Sequence, residues 1–188
     1  MLRVYTIGHS TRRPEEFLSL LKEFGISVVA DIRRYPSSRK FPHFNGPVLC
    51  QLLRAANMEY MWFEQLGGRR HSAQNDRSPN VGLKSPGLRS YADHMATKEF
   101  HEAVKKLLSA AATSTTAVMC AEKLFWKCHR RLLSDYLVAR NVEVLHITEP
   151  GRFQPHHLSR GAVITGRGEV IYPEPNPAEY SQRRLFEP

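Results

Sequence analysis

LRVYTIGHSTRRPEEFLSLLKEFGISVVADIRRYP, residues 2–36, decides the fold. LRVYTIGHS reads as a buried strand running into a Gly-containing loop. PEEFLSLLKEFG has helical spacing at Phe17, Leu20, Leu21 and Phe24, with Pro14 and two glutamates in its first turn and Gly25 at its end. ISVVADIRRYP is a second apolar strand that leaves into a basic loop. Strand, helix and strand in this order make a βαβ unit, which implies a parallel sheet covered on both faces.

The rhythm continues along the chain. GPVLCQLLRAAN is a short helix with Val48, Leu49, Leu52, Leu53 and Ala56 on one face, and MEYMWFEQLGG a third strand ending in a double glycine. SYADHMATKEFHEAVKKLLSAAATS reads as one long helix, TTAVMCAE as a fourth strand, KCHRRLLSDYLVARN as a helix and VEVLHIT as a fifth strand. Residues 69–88 show no periodicity, which is long for a loop in a compact domain. AVITGRGEVIYP resembles a hairpin around Gly-Arg-Gly. The expected fold is α/β: a single-domain, Rossmann-like parallel sheet with helices on both faces. Residues 1–148 form the core and 149–188 a hairpin-like C-terminal extension packed on it.

The chain has 188 residues, enough for one well-buried domain, and 41% are hydrophobic. No apolar run is long enough to span a bilayer, so no membrane partner is expected. The start, MLRVYTIGHS, is strand-like rather than a signal peptide, and a cytoplasmic location is expected. Three cysteines argue against a disulfide framework and for thiols or ligands. Twenty-seven Lys and Arg against 18 Asp and Glu give a net charge of +9, which suits nucleic acid or a phosphate-bearing nucleotide as partner. The sequence leaves the oligomeric state open.

In a parallel sheet every strand ends on one edge, and ligands bind there. Strand one delivers Gly8, His9 and Ser10 to that edge. Strand two delivers Asp31, Arg33, Arg34, Ser37 and Arg39. Strand three delivers Gly67, Gly68 and Arg69, strand four Cys120, Glu122, Cys128, His129 and Arg130, and strand five His146. Their coincidence is the argument for an active site, because each alone has an ordinary structural explanation. Ser10 or Thr11 can be a helix cap, and Asp31 a structural ion pair with Arg33 or Arg39. Glycines 67 and 68 can make a tight turn or admit a ligand to the backbone. Arg131 can pair with Asp135 one helical turn on.

The chemistry read from these residues assigns acid, base or charge-stabilising roles to Glu122, Asp31 and His9. Cys128 is a candidate thiolate near a helix N-terminus. Ser10, Arg33, Ser37, Arg39, Arg69, His129 and Arg130 are candidates for holding phosphate. Tyr35, Phe44 and Trp126 are candidates for stacking a base. No cofactor is called for; the alternative is zinc held by Cys120, Cys128, His129 and His146, at a spacing unlike that of zinc ribbons. If the strands run 3-2-1-4-5, Asp31 and Glu122 flank His9 about 10 Å apart, a separation at which two carboxylates can share acid and base work on a glycosidic bond.

TIGHS at Thr6–Ser10, DIRRYPSSR at Asp31–Arg39, LGGRR at Leu66–Arg70, and CAE with CHR at Cys120–Glu122 and Cys128–Arg130 resemble the domain-of-unknown-function family 488. The resemblance covers residues 2–148, with the motifs in order. It implies an α/β domain whose motif residues belong together, and it implies no reaction. The expectation is therefore an enzyme hydrolysing a glycosidic bond, as in base excision during DNA repair, or a phosphodiester bond. The alternatives are a non-catalytic nucleotide or nucleic-acid binding module and a cysteine-dependent thiol or redox enzyme.

Overall fold

The computed structural model describes the chain in two stretches, residues 1–70 and 78–175.

 Parts of the aperiodic 69–88 segment and of the C-terminal extension lie outside them. Six strands form one sheet: β1 (Arg3–Gly8), β2 (Val28–Asp31), β3 (Glu59–Trp62), β4 (Thr116–Cys120), β5 (Glu143–Glu149) and β6 (Arg152–Pro155). Among the described residues five α-helices accompany them: α1 (Pro14–Glu23), α2 (Gly46–Ala55), α3 (Pro86–His94), α4 (Lys98–Thr113) and α5 (Arg130–Val138). The expected hairpin is present as β7 (Val163–Ile164) against β8 (Val170–Ile171).

Alternation along the central strands sorts the helices to the two faces. Val29, Ala117, Met119 and Ile7 pack with Phe17, Leu20 and Leu21 of α1 and Leu49 and Leu53 of α2. Ala30, Val118, Cys120 and Val4 turn the other way, towards Tyr91 of α3, Phe100 and Leu107 of α4 and Leu132 and Leu133 of α5. This is the expected Rossmann-like α/β domain. No helix among the described residues is long and apolar enough to cross a membrane.

Three features depart from the sequence reading. The strand order is 3-2-4-1-5-6, so β4, and not β1, is flanked by β2 and β1. Asp31 lies opposite Met119 and Gly8 opposite Cys120, which puts β4 at the centre of the ligand edge. The single long helix is two, because Thr97 interrupts it: its Oγ1–H donates to the His94 carbonyl at 2.8 Å and its Oγ1 accepts from the Phe100 N–H at 3.3 Å. The sheet also continues past residue 148, where β6 adds antiparallel to β5.

Candidate functional site

The loops after β1, β2 and β4, joined by Gly68 and Arg69 and the start of α3, enclose a cleft of about 900 Å³ at the carboxyl edge of the sheet. His9, Ser10, Arg33, Tyr35, Ser37, Arg69, Cys120, Glu122, Cys128 and His129 line it. Most of the residues singled out in the sequence are therefore brought together. The sequence reading passed over Lys123 and Lys127, which add positive charge from the loop after β4, and Ser85 and Leu88, which close the far side. The lysines were legible as charges beside CAE and CHR; the α3 residues carry no chemical signal of their own.

Asp31 is not in the cleft. Its carboxylate is fully buried and takes the Arg33 Nε at 2.9 Å, the Arg33 Nη2 at 2.5 Å and the Tyr60 hydroxyl at 2.8 Å. Of its two sequence readings, the ion pair with Arg33 is the one the structure contains. Burial and the adjacent Asp31 push the Tyr60 phenol up, so it stays a proton donor to the carboxylate. Arg33 spends its remaining Nη1 on the Phe44 carbonyl at 2.8 Å. Phe44 is buried beneath His9, ring centroids 4.1 Å apart, and so supports the cleft rather than presenting a stacking face. Burial, then the Arg33 charge, lower the His9 pKa to about 4. The neutral ring donates from Nδ1 to the Ser10 carbonyl at 3.0 Å and turns Nε2 to Arg33 Nη1 at 3.4 Å. Ser10 is not a helix cap, since α1 is preceded by Arg13. It holds a positive φ of 52° at the cleft wall.

The remaining expected contacts divide. Arg39 is exposed on the loop after β2 but outside the cleft lining, and Trp126 is 47% exposed with its ring against Phe125. Arg130 is buried at 1% exposure and faces inward. It donates to Cys120 Sγ at 3.0 Å, to Thr6 Oγ1 at 3.1 Å, to the Lys123 carbonyl at 3.1 Å and to the Glu122 carbonyl. It is thus a structural hub and does not reach a phosphate in the cleft. Arg131 does not pair with Asp135, whose carboxylate is buried and taken by His156, Ser159 and Tyr172 of the C-terminal extension.

Glu122 is exposed, its Oε1 accepting from the Leu124 N–H at 3.1 Å. Cys128 and Cys120 are buried at the cleft floor with sulfurs 3.0 Å apart. The Cys120 hydrogen bond, opposed by burial and helped by Arg130, lowers the Cys128 thiol to about 7. Burial, then the same bond, raises Cys120 well above its usual value. His129 turns Nδ1 to Cys128 Sγ at 3.4 Å and donates from Nε2 to the Ile32 carbonyl at 3.2 Å. The zinc alternative does not assemble: His146 faces Thr6 at 2.6 Å and His156 at 2.9 Å, away from the cysteines. Among the described residues no three His, Cys, Asp or Glu side chains are grouped to hold a metal ion.

Gly8 and Gly68 also stand where an added Cβ would collide with a neighbour. A Cβ on Gly8 would lie 1.9 Å from the Glu122 carbonyl oxygen, and one on Gly68 would lie 2.3 Å from His129 Nδ1. They let the β4 loop and the His129 ring press against neighbouring backbone.

No curated protein and no solved structure matches the chain. The family described as domain of unknown function DUF488 matches residues 13–137, which span α1, β2, the basic loop, the double glycine, β4 and most of α5. With about two thirds of its length matched, the chain belongs to the DUF488 family.

Proposed function

We propose that the chain is an enzyme acting on a nucleic acid or a phosphate-bearing nucleotide, hydrolysing a glycosidic or phosphodiester bond. One observation carries the reading: among the described residues the cleft is lined by Arg33, Arg34, Lys40, Arg69, Lys123 and Lys127 and by a single carboxyl group, Glu122. Arg33, Arg34 and Lys123 sit in ion pairs with Asp31, Glu64 and Glu149. Lys40, Arg69 and Lys127 are exposed and offer their charge to an anion. Such a field draws in a phosphate and excludes acidic groups other than the one the chemistry needs. Tyr35, 58% exposed at the cleft, offers a face to a base.

Glu122 is the acid–base group in this reading. As an acid it protonates the leaving group, and as a carboxylate it takes a proton from the attacking water. Asp31 is not a second carboxylate for this chemistry, because Arg33 neutralises it; its part is to hold Arg33 at the cleft wall.

The test is a denaturing gel. Labelled single- and double-stranded DNA and RNA, with normal and damaged bases, are incubated with wild type and with Glu122→Gln, then divided with and without hot alkali. Breaks that need alkali and disappear in the variant establish base excision, and breaks without alkali establish backbone cleavage. Binding to these strands with no break by wild type would replace the enzyme with a non-catalytic binding module.

A further inference from the structure

Arg130 is a buried cation that no carboxylate pairs among the described residues. A buried guanidinium needs compensating negative charge or dipoles. The guanidinium has two carbonyl oxygens, the Thr6 hydroxyl and one sulfur, Cys120 Sγ at 3.0 Å from Nε, while the backbone N–H of Arg130 reaches Cys128 Sγ at 3.5 Å. Among the described groups that bond to its side chain, Cys120 is the one able to become an anion, and Cys128 Sγ lies 3.0 Å from it.

A chain of hydrogen bonds fixes the arginine from behind. The Asp135 carboxylate accepts from His156 Nε2 at 2.9 Å, His156 Nδ1 meets His146 Nε2 at 2.9 Å, and His146 Nδ1 meets Thr6 Oγ1 at 2.6 Å. In the tautomers that give His156 Nε2–H to Asp135 and His146 Nε2–H to His156, the Thr6 hydroxyl donates to His146 and Arg130 donates to Thr6. Asp135 Oδ1 also accepts from the Ser159 N–H at 2.7 Å, and the Arg130 Nε–H points at Cys120 Sγ. The two sulfurs share one hydrogen bond, in which either can be the donor. With Cys120 as the donor the negative charge falls on Cys128, the distribution favoured by the opposite displacements of the two thiols.

The sulfurs are 3.0 Å apart, so about 1 Å of further approach reaches the ~2.05 Å of a disulfide. Both cysteines line the basic cleft. We propose that Cys120 and Cys128 form a dithiol centre that exchanges with a small, negatively charged disulfide entering the cleft. The Cys128 thiolate attacks one sulfur of the disulfide; a mixed disulfide forms, and the other half leaves as a thiolate. Cys120 then gives up its proton and attacks Cys128 Sγ. The Cys120–Cys128 disulfide forms, and the second half leaves as a thiolate that takes up that proton. Two protein thiols are oxidised and one disulfide is reduced to two thiols. Arg130 stabilises the charge on whichever sulfur carries it. This reaction is independent of the hydrolysis assigned to Glu122.

The experiment uses the full chain with Cys50→Ser, which leaves these two thiols alone. The probe is 5,5′-dithiobis(2-nitrobenzoate), an anionic aromatic disulfide, with neutral 2,2′-dithiodipyridine as the comparison. The expected result is release of two thionitrobenzoates per chain with no adduct retained, and a mass lower by two hydrogens. Cys120→Ser should release one and keep one adduct on Cys128. Cys128→Ser should react about tenfold more slowly or less, because the remaining thiol is mostly protonated. The anionic probe should lose its rate advantage over the neutral one in Lys127→Gln. Two retained adducts, or no reaction until the chain is unfolded, would overturn the proposal. Circular dichroism of each variant separates lost reactivity from lost fold.

Discussion

At the scale of single residues, the cleft rests on groups that never touch a ligand. Asp31 is the clearest. Removing its charge leaves Arg33 buried with the Phe44 carbonyl and the weak His9 contact as partners. Asp31→Asn is expected to cost about 3–5 kcal/mol, the range for breaking one side of a buried pair. Urea denaturation of the variant reads it directly, and a loss below about 1 kcal/mol would show that the pair is not compensating a buried charge. Gly68 makes the same point through shape. Its missing Cβ is where the His129 ring sits, and that ring is also held by the Ile32 carbonyl. Gly68→Ala has to displace a ring tied at its far nitrogen, and a loss of about 1–3 kcal/mol is expected from overpacking. A variant with the wild-type denaturation midpoint would mean the ring moves freely.

At the scale of elements, the strands and helices were legible because each carries its own periodicity. Val28, Val29 and Ala30 are a continuous apolar run, as a strand covered on both faces requires. The strand order was not legible. Nothing within β4 says that it inserts between β2 and β1, since that depends on which crossover packs best on the sheet. β6 was hidden because all four of its residues are exposed, leaving no alternation to read. The helix break before α4 was marked only by Thr97, with no glycine or proline to signal it. The site was legible as a set of residues and not as a set of roles. Arg33 and Arg130 look alike in sequence as phosphate ligands, and only burial reveals that each is spoken for. Thr97→Ala tests the break: losing the cap should cost about 1 kcal/mol. Amide exchange should speed up in the first turn of α4. Unchanged exchange there would show that Lys98–Thr113 holds its start without the threonine.

At the scale of the whole molecule, buried neutral histidines connect the fold to pH. His146 lies between Thr6 and His156, where burial and the facing histidine lower its pKa to about 2. His9 lies between Phe44 and Arg33 and is lowered to about 4. In the unfolded chain both titrate near ~6.5. The unfolded state therefore binds more protons than the folded state below that value, and stability falls with pH. The loss begins at the unfolded pKa and levels off only below the folded one. By pH 5 each histidine removes about 2 kcal/mol relative to pH 8. The interval from pH 8 to 5 lies above the range in which ordinary carboxylates titrate, so the histidines dominate it. Urea denaturation at half-unit steps should trace this decline, and His146→Gln should make it shallower by about 2 kcal/mol over the same interval. A wild-type curve that is flat from pH 8 to 5 would mean that these rings take up protons without unfolding. The directed chain from Asp135 to Cys120 would then have to be redrawn with a charged histidine inside it.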